Sequence, residues 1–364
     1  MISIDSLKIR IPLPEVQILE PTLKEHWLDA KYNPDTDVVV FDADEECSSE
    51  GEITYTQAFK NRAYRVKQNG ISTKYAIQKQ RTNFNNTATA EFLIINATSK
   101  LLEGRYFEGI TSSNIRVVYD ALMAQKVVYL SFESFVSGSC TDIDFKKDIC
   151  TNDVERLLKF MSSRAIPSSK KGYGYELYER RENQGIEFSH REATAFKTNP
   201  YLKIYDKALE LTYNSKEFSE SFLADTDYSR KVRVEVTIKN KQHFRQYGIF
   251  DTTLANIVEI PKEVKESMIR TAMKAHLYPP VREVEKSSGV KPEDQFLLNA
   301  IKLFMDQGLS FVLIVNALTS NLDKSSRSRK KKRLEDIYIL HVEGSDEDKS
   351  TSNIGEICKE IFWS

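Results

Sequence analysis

Several large protein classes are excluded by what this chain has little of. It carries only 4 Cys in 364 residues. Cys47, Cys140, Cys150 and Cys358 show neither a disulfide framework nor metal-type spacing, which points to a reducing compartment. Five His (His26, His190, His243, His276, His341) are scattered, with no His-hydrophobe-His pair among them. Only 13 Gly are present, which excludes collagen-like and linker-rich designs. No apolar run approaches the ~20 residues of a membrane span. The opening Met1–Ile11 alternates like a strand and lacks the apolar core of a signal peptide. There is no Walker-type Gly-Lys-Ser/Thr loop and no Gly-x-Ser-x-Gly elbow, so neither a built-in ATPase nor a serine hydrolase is expected.

What remains is an ordinary globular composition, 40% hydrophobic and 29% charged, in a chain long enough for two domains. The net charge of −1 conceals two local concentrations. Six acids lie within 42–52, and seven bases (Lys324, Arg327, Arg329, Lys330, Lys331, Lys332, Arg333) lie within ten residues near the end. Such a basic run is either a solvated helix face or a nucleic-acid footprint.

Residues 1–255 read as mixed α and β. Strand-like alternation covers Ser3–Ile11, Asp37–Phe41, Thr89–Ile95, Val127–Phe135, Thr141–Phe145, Gly185–Ser189, Leu202–Asp206 and Val232–Lys239. Helical spacing covers Ser113–Lys126 and Asn152–Ser163, where Asn152 and Glu155 form a capping-box pattern. Pro167–Gly174 reads as a loop, and Asn199-Pro200 breaks the chain before the next strand. From 256 to 340 the pattern turns helical, over Lys262–Leu277, Pro292–Asp306, Ser310–Leu318 and Ser325–Ile337, with Gly308 as a helix stop. The last three have the order of a helix-turn-helix reader whose final, basic helix meets duplex DNA. Residues 341–364 read as a polar tail. The expected fold is α+β: an antiparallel-rich mixed sheet with helices on one face, plus this C-terminal helical unit.

Three of the strands carry the chemistry. In Tyr201–Asp206, Leu202 and Ile204 share a dry face while Tyr201, Lys203 and Tyr205 share the wet one, with Lys207 following in phase. In Val232–Lys239, four aliphatic residues face inward and Arg233, Glu235, Thr237 and Lys239 face outward. In Thr141–Phe145, Asp142 and Asp144 lie on the wet side. If the three share a sheet, its polar face holds a phenol, a lysine, an arginine and several carboxylates. That set suits attack on a phosphodiester beside a divalent cation. A phenol has a reference pKa of about 10 and needs help to ionise. Lys207 is placed to favour the phenolate, and Arg233 to clamp a phosphate oxygen. Asp144 and Glu235, with Asp142 and Glu210 in reserve, are placed to hold Mg²⁺ or Mn²⁺. Tyr201 is the alternative nucleophile.

These pieces resemble, in order, the replication initiators of filamentous phages and related plasmids, the gene II/gene X type of rolling-circle protein. Ile4–Pro12 is similar to that family's opening strand, and Phe92–Gly104 to its central segment. Asp142-Ile-Asp144 is similar to its Ile-Asp strand, Lys203–Leu211 to its tyrosine motif, and Val232–Lys239 to its Arg-x-Glu strand. The resemblance covers roughly residues 1–255 and implies a rolling-circle nuclease-like fold. It also implies a site-specific nickase and strand transferase, with Tyr205 as nucleophile, Lys207 after it, and Asp144 and Glu235 as metal positions. One origin strand would be cut to a 5′-phosphotyrosine and a free 3′-OH primer, later religated. The resemblance further implies work in the cytoplasm of a bacterial host, with host helicase and polymerase as partners and no membrane. Many rolling-circle nucleases hold metal through a His-hydrophobe-His pair, from which this chain departs. A relaxase of a mobile element, a non-catalytic origin-binding initiator and a single-strand transposase are the competing readings.

Overall fold

A computed structural model of the chain describes residues 2–24, 27–33, 38–41, 56–61, 64–81, 89–165, 173–178, 185–190, 201–239, 241–277, 292–306 and 309–342. Its strands are β1 (Ile2–Pro12), β2 (Val16–Ile18), β3 (Trp27–Asn33), β4 (Val38–Phe41), β5 (Thr56–Asn61), β6 (Tyr64–Gln68), β7 (Ile71–Arg81), β8 (Thr89–Thr98), β9 (Val128–Leu130), β10 (Ser139–Cys150), β11 (Tyr173–Tyr178), β12 (Gly185–His190), β13 (Tyr201–Asp206) and β14 (Lys231–Ile238). Among the described residues, twelve of them form one sheet ordered β11-β12-β13-β14-β10-β1-β8-β7-β5-β3-β4, with β6 also on β7. The pairings through this order are antiparallel throughout. The expected α+β class with a large antiparallel sheet is what the chain forms.

The three chemistry-bearing strands are therefore neighbours. β13 lies on β14, β14 on β10, and β10 on β1. Their dry faces (Leu202 and Ile204; Val232, Val234, Val236 and Ile238; Ile143 and Phe145) join one large core. Burying such aliphatic side chains contributes roughly 1.5–3 kcal/mol each before entropy is subtracted. Helices Val154–Ser163 and Lys262–His276 pack on this face through Leu157, Leu158, Met161, Met268, Ile269 and Met273.

Several expectations are corrected. Helix Lys262–His276, assigned above to the C-terminal helical unit, belongs to the sheet's core, which runs as far as Leu277. A separate core of Leu298, Ile301, Met305, Phe311, Ile314, Val315, Leu334 and Tyr338 unites helices Pro292–Asp306, Phe311–Thr319 and Lys324–Val342. The two cores thus part after residue 277, not at 255. The expected strand Val127–Phe135 is only β9, because Ser131 accepts a hydrogen bond from the Ser134 amide and starts helix Phe132–Ser137. Asp153, not Asn152, caps the next helix by accepting from the Arg156 amide at 2.9 Å. The last helix runs to Val342, past the expected start of the tail. Gly308, Asn199-Pro200, most of the 167–174 loop and tail residues 343–364 lie outside the described residues.

Helices also occupy both faces of the sheet, not one. Strand β13 ends at Asp206, whose carboxylate accepts from the amides of Ala208 and Leu209 and opens helix Lys207–Asn214. This helix, helix Lys216–Phe222 and the 3₁₀ segment Ser99–Glu108 build a second cluster, Tyr106, Leu211, Phe218 and Leu223. The cluster stands beside Tyr205, on the side opposite Ile204 and the main core.

Candidate active site

Strand register sets the polar face as a series of rungs. Tyr205 stands opposite Arg233, and Arg233 opposite Asp148. One rung along, Lys203 stands opposite Glu235, and Glu235 opposite Lys146. The next holds Tyr201, Thr237, Asp144 and Ser6. Across β12, Gly185 faces Tyr205, and a Cβ there would come within 2.5 Å of the tyrosine's own Cβ. Glycine at 185 is what leaves Tyr205 its position.

A bulge supplies the residue that strand parity missed. In β1 the apolar phase runs Ile2, Ile4, then switches to Leu7, Ile9 and Ile11, with register shifts between Ile4 and Ser6 and between Ser6 and Lys8. The first shift turns Asp5 as well as Ser6 to the polar side, as an extra bulge residue does. Asp5 accepts from Arg233 Nη1 at 2.9 Å and from Ser99 Oγ at 2.7 Å, and lies 3.5 Å from Lys146 Nζ. Burial raises its pKa, but the charges of Arg233, Lys146 and Lys207 outweigh that and hold it well below the usual range. The second shift falls where Asp142 adopts φ 47°. Its carboxylate there pairs with Lys8, so Asp142 does not join Asp144 as expected.

Arg233 also differs from expectation. Its guanidinium is 0% exposed, bidentate to Asp148 at 2.6 and 3.0 Å, and bonded to Asp5 and to Tyr106 Oη at 2.6 Å. Its fork is spent on the protein's own groups, so it is a buried hub and not a phosphate clamp. Asp144 is likewise committed, accepting from the hydroxyls of Ser6 and Thr237. Burial raises its pKa against those two donors.

The groups that remain open to a ligand line a cleft of about 260 Å³, among them Asp5, Lys100, Tyr205, Lys207, Glu210 and Glu235. Tyr205 Oη donates to Glu235 Oε1 at 2.6 Å and accepts from Lys207 Nζ at 3.5 Å. Although Lys207 opens a helix instead of continuing the strand, its ammonium still reaches the phenol. Burial, then the neighbouring charge of Asp5, pushes Glu235 up to about 7. Burial and the Glu235 charge together hold the Tyr205 phenol well above its ordinary value, so Lys207 does not produce a resting phenolate. The phenol is neutral, with its proton already directed at a carboxylate of near-neutral pKa.

Among the described residues, no group of three or more His, Cys, Asp or Glu side chains is placed to hold a metal ion. Three carboxylates do line the cleft, and they are the hard oxygen donors that Mg²⁺ and Mn²⁺ take. Asp5 and Glu210 line this cleft with Glu235, and Asp144 and Asp142 are not among its lining residues. Sequence reasoning missed Asp5, Tyr106, Lys146, Asp148 and Lys100. For Asp5 a signal existed in the phase switch of β1, and Lys146 and Asp148 continue the β10 alternation beyond the expected strand end. Nothing local marked Lys100 or Tyr106, which come from a 3₁₀ segment.

In the C-terminal unit, Lys324, Arg329, Lys330, Lys332 and Arg333 are exposed on the last helix. Arg327 is not available in the same way. Its N–H groups donate to the carbonyls of Thr319, Ser320 and Leu322 at 3.1, 2.8 and 3.0 Å, closing the end of the preceding helix. Lys331 Nζ donates to Asn316 Oδ1. Among the described residues, no helix is long and apolar enough to cross a membrane. Compared with protein-family models, with curated proteins and with solved structures, the chain gives no match.

Proposed function

We propose that the protein is a rolling-circle replication initiator, which nicks one strand of an origin with Tyr205 and later rejoins it. The observation that carries this reading is the 2.6 Å hydrogen bond from the Tyr205 phenol to Glu235, in a polar cleft with Lys207 alongside. Tyr205 Oη attacks the phosphorus of the scissile phosphodiester and gives its proton to Glu235. The bond from phosphorus to O3′ breaks, leaving a phosphotyrosine on the 5′ side. The phenol's proton ends on the departing O3′, with Glu235 as first acceptor. Because one ester replaces another, the reverse reaction can close the strand.

Mg²⁺ is usually bound through one or two carboxylates and completed by substrate phosphate and water. Glu235 and Asp5 fit that kind of site, and the cation would supply charge neutralisation at the phosphate. The assay is incubation with Mn²⁺ and a supercoiled origin plasmid, then denaturing electrophoresis for a covalent protein–DNA adduct. Absence of any adduct with an origin the protein binds tightly would favour a non-catalytic initiator.

In this reading the three C-terminal helices are the helix-turn-helix-like unit that grips duplex DNA, while the cleft acts on an exposed single strand. With Arg327 and Lys331 engaged, the exposed Lys324, Arg329, Lys330 and Lys332 would account for about −3.6 of the log–log salt slope. Replacing Lys324, Arg329, Lys330 and Lys332 by Ser is expected to flatten the slope by about that amount. Cleavage of a short single-stranded oligonucleotide should stay within about twofold. Equal losses in origin binding and oligonucleotide cleavage would refute this division of labour.

The pH dependence has a defined sign. Adduct formation should rise with pH, with its step at or below about 7, because Glu235 must be ionised to accept the phenol's proton and a cation beside it would favour the charged form. Its folded-state pKa lies above the ordinary carboxylate value of 4.5, so the folded protein holds that proton more tightly than the unfolded chain. Its contribution to stability is therefore greatest below about 4.5 and falls as pH climbs towards 7. A pH–rate profile of wild type against Glu235→Gln checks this. The variant should lose that step along with most activity, and a step that persists in it belongs to another group.

A further inference from the structure

Arg233 is spent on Asp148, Asp5 and Tyr106, which leaves open what holds the substrate's phosphate. Two ammonium groups line the same cleft as the Tyr205 phenol: those of Lys207 and Lys100. They come from different parts of the chain, the helix after β13 and the 3₁₀ segment after β8. One carboxylate organises both. Glu210 pairs with Lys207 through one oxygen, and through the other it accepts from Ser215 Oγ at 3.0 Å. Ser215 Oγ in turn accepts from Lys100 Nζ at 2.6 Å.

Two cations are thus tied to one carboxylate, Lys207 directly and Lys100 through Ser215. An ammonium has three N–H donors, and among the described residues Lys100 directs one of them to Ser215. Burial, and the like charges of Lys207 and Arg233, pull the Lys100 pKa down against the opposing charges of Glu210 and Asp5. A bound anion would relieve both effects. The wall beside them is closely packed. Asn69 and Gly70 turn with φ 47° and 73°, and a Cβ on Gly70 would come within 2.4 Å of the Phe218 backbone. Phe218 packs in the second cluster, and Lys100 Nζ stands 5.4 Å over its ring.

We propose that Lys100 and Lys207 form a phosphate seat, in which Glu210 and Ser215 fix the two ammonium groups around one phosphodiester of an extended single strand. Lys207 already lies 3.5 Å from Tyr205 Oη, so a phosphate that it holds is next to the nucleophile. Lys100 holds the same phosphate from the far side and makes the seat specific for an anion. The inference deepens the nickase reading and takes the identity of the substrate from it.

Inorganic phosphate is the probe that separates the two ideas, since it tests the seat without chemistry. The parent for the titrations is the full chain carrying Lys324→Ser, Arg329→Ser, Lys330→Ser and Lys332→Ser, so that the basic helix adds little signal. Calorimetric titration should show phosphate binding that Lys100→Met weakens tenfold or more. Lys100→Arg should restore it to within threefold, and Ser215→Ala should weaken it severalfold with the ammonium retained. In oligonucleotide cleavage, Lys100→Met should raise KM by the same factor as the phosphate Kd, with kcat changed less than threefold. If Lys100→Met and Ser215→Ala bind phosphate as the parent does, the seat is wrong, even where adducts form normally. If phosphate binding depends on Lys100 but no origin ever yields an adduct, the seat stands and the nickase reading falls.

Discussion

Tyr205→Phe should abolish the covalent protein–DNA adduct, with a loss of at least about 10³-fold in strand cleavage. The change removes only the hydroxyl that donates to Glu235, and the ring keeps its place against Gly185. Duplex origin binding, which the proposed reading assigns to helices with their own core, should be unaffected. The fold should hold too. The lost hydrogen bond costs about 1–3 kcal/mol if Glu235 is left unsatisfied. Glu235, with a pKa near 7, can meet much of that cost by taking up a proton. Tyr201→Phe is the control and should keep the adduct. Retention in Tyr205→Phe with loss in Tyr201→Phe would move the nucleophile to the neighbouring position on β13.

The second large effect is on stability. Arg233→Leu should destabilise the protein by about 3–5 kcal/mol, because it strands buried carboxylates without their counter-charge. Asp148 loses both of its guanidinium hydrogen bonds, and Asp5 loses the strongest of the charges that hold its pKa down. A domain has a net stability of only about 5–15 kcal/mol, so much of the variant should be unfolded or aggregated when expressed. Urea unfolding monitored by circular dichroism measures the shift. Arg233→Lys should rescue little, since an ammonium cannot bridge Asp148 in a bidentate fork while reaching Asp5 and Tyr106. A phosphate-clamping arginine would behave differently, with cleavage lost and the unfolding midpoint unchanged. That result would overturn the hub assignment.

The contrast between these two residues shows where sequence reasoning holds. Tyr205 and Glu235 were correctly placed on one wet face because alternation is local: each strand's dry residues must enter the core, and the others then point away from it. Arg233 shared that parity, yet parity says nothing about partners. Its role was decided by Asp148, Asp5 and Tyr106, which lie 85, 228 and 127 residues away in the chain. Asp142 shows the reverse error. Its alternation matched that of Asp144, but a bulge with φ 47° gave it to Lys8. Lys207 was expected on the strand and instead opens a helix, because Asp206 caps the amides that follow.

Three of this protein's features were therefore settled by the sequence alone. They are the α+β class, the split of β10, β13 and β14 into dry and wet faces, and the helices described between Lys262 and Val342. Each follows from periodicity and capping within a few residues, where steric and hydrophobic preferences act directly. The tertiary structure decided the rest: the strand order that made these three strands neighbours, the bulge that brought in Asp5, and the helices that roofed the cleft with Lys100 and Lys207. It also decided which charges were consumed in holding the fold and which were left facing the cleft. Charge partnership depends on distance and burial in three dimensions, and those are fixed only when segments remote in sequence pack together.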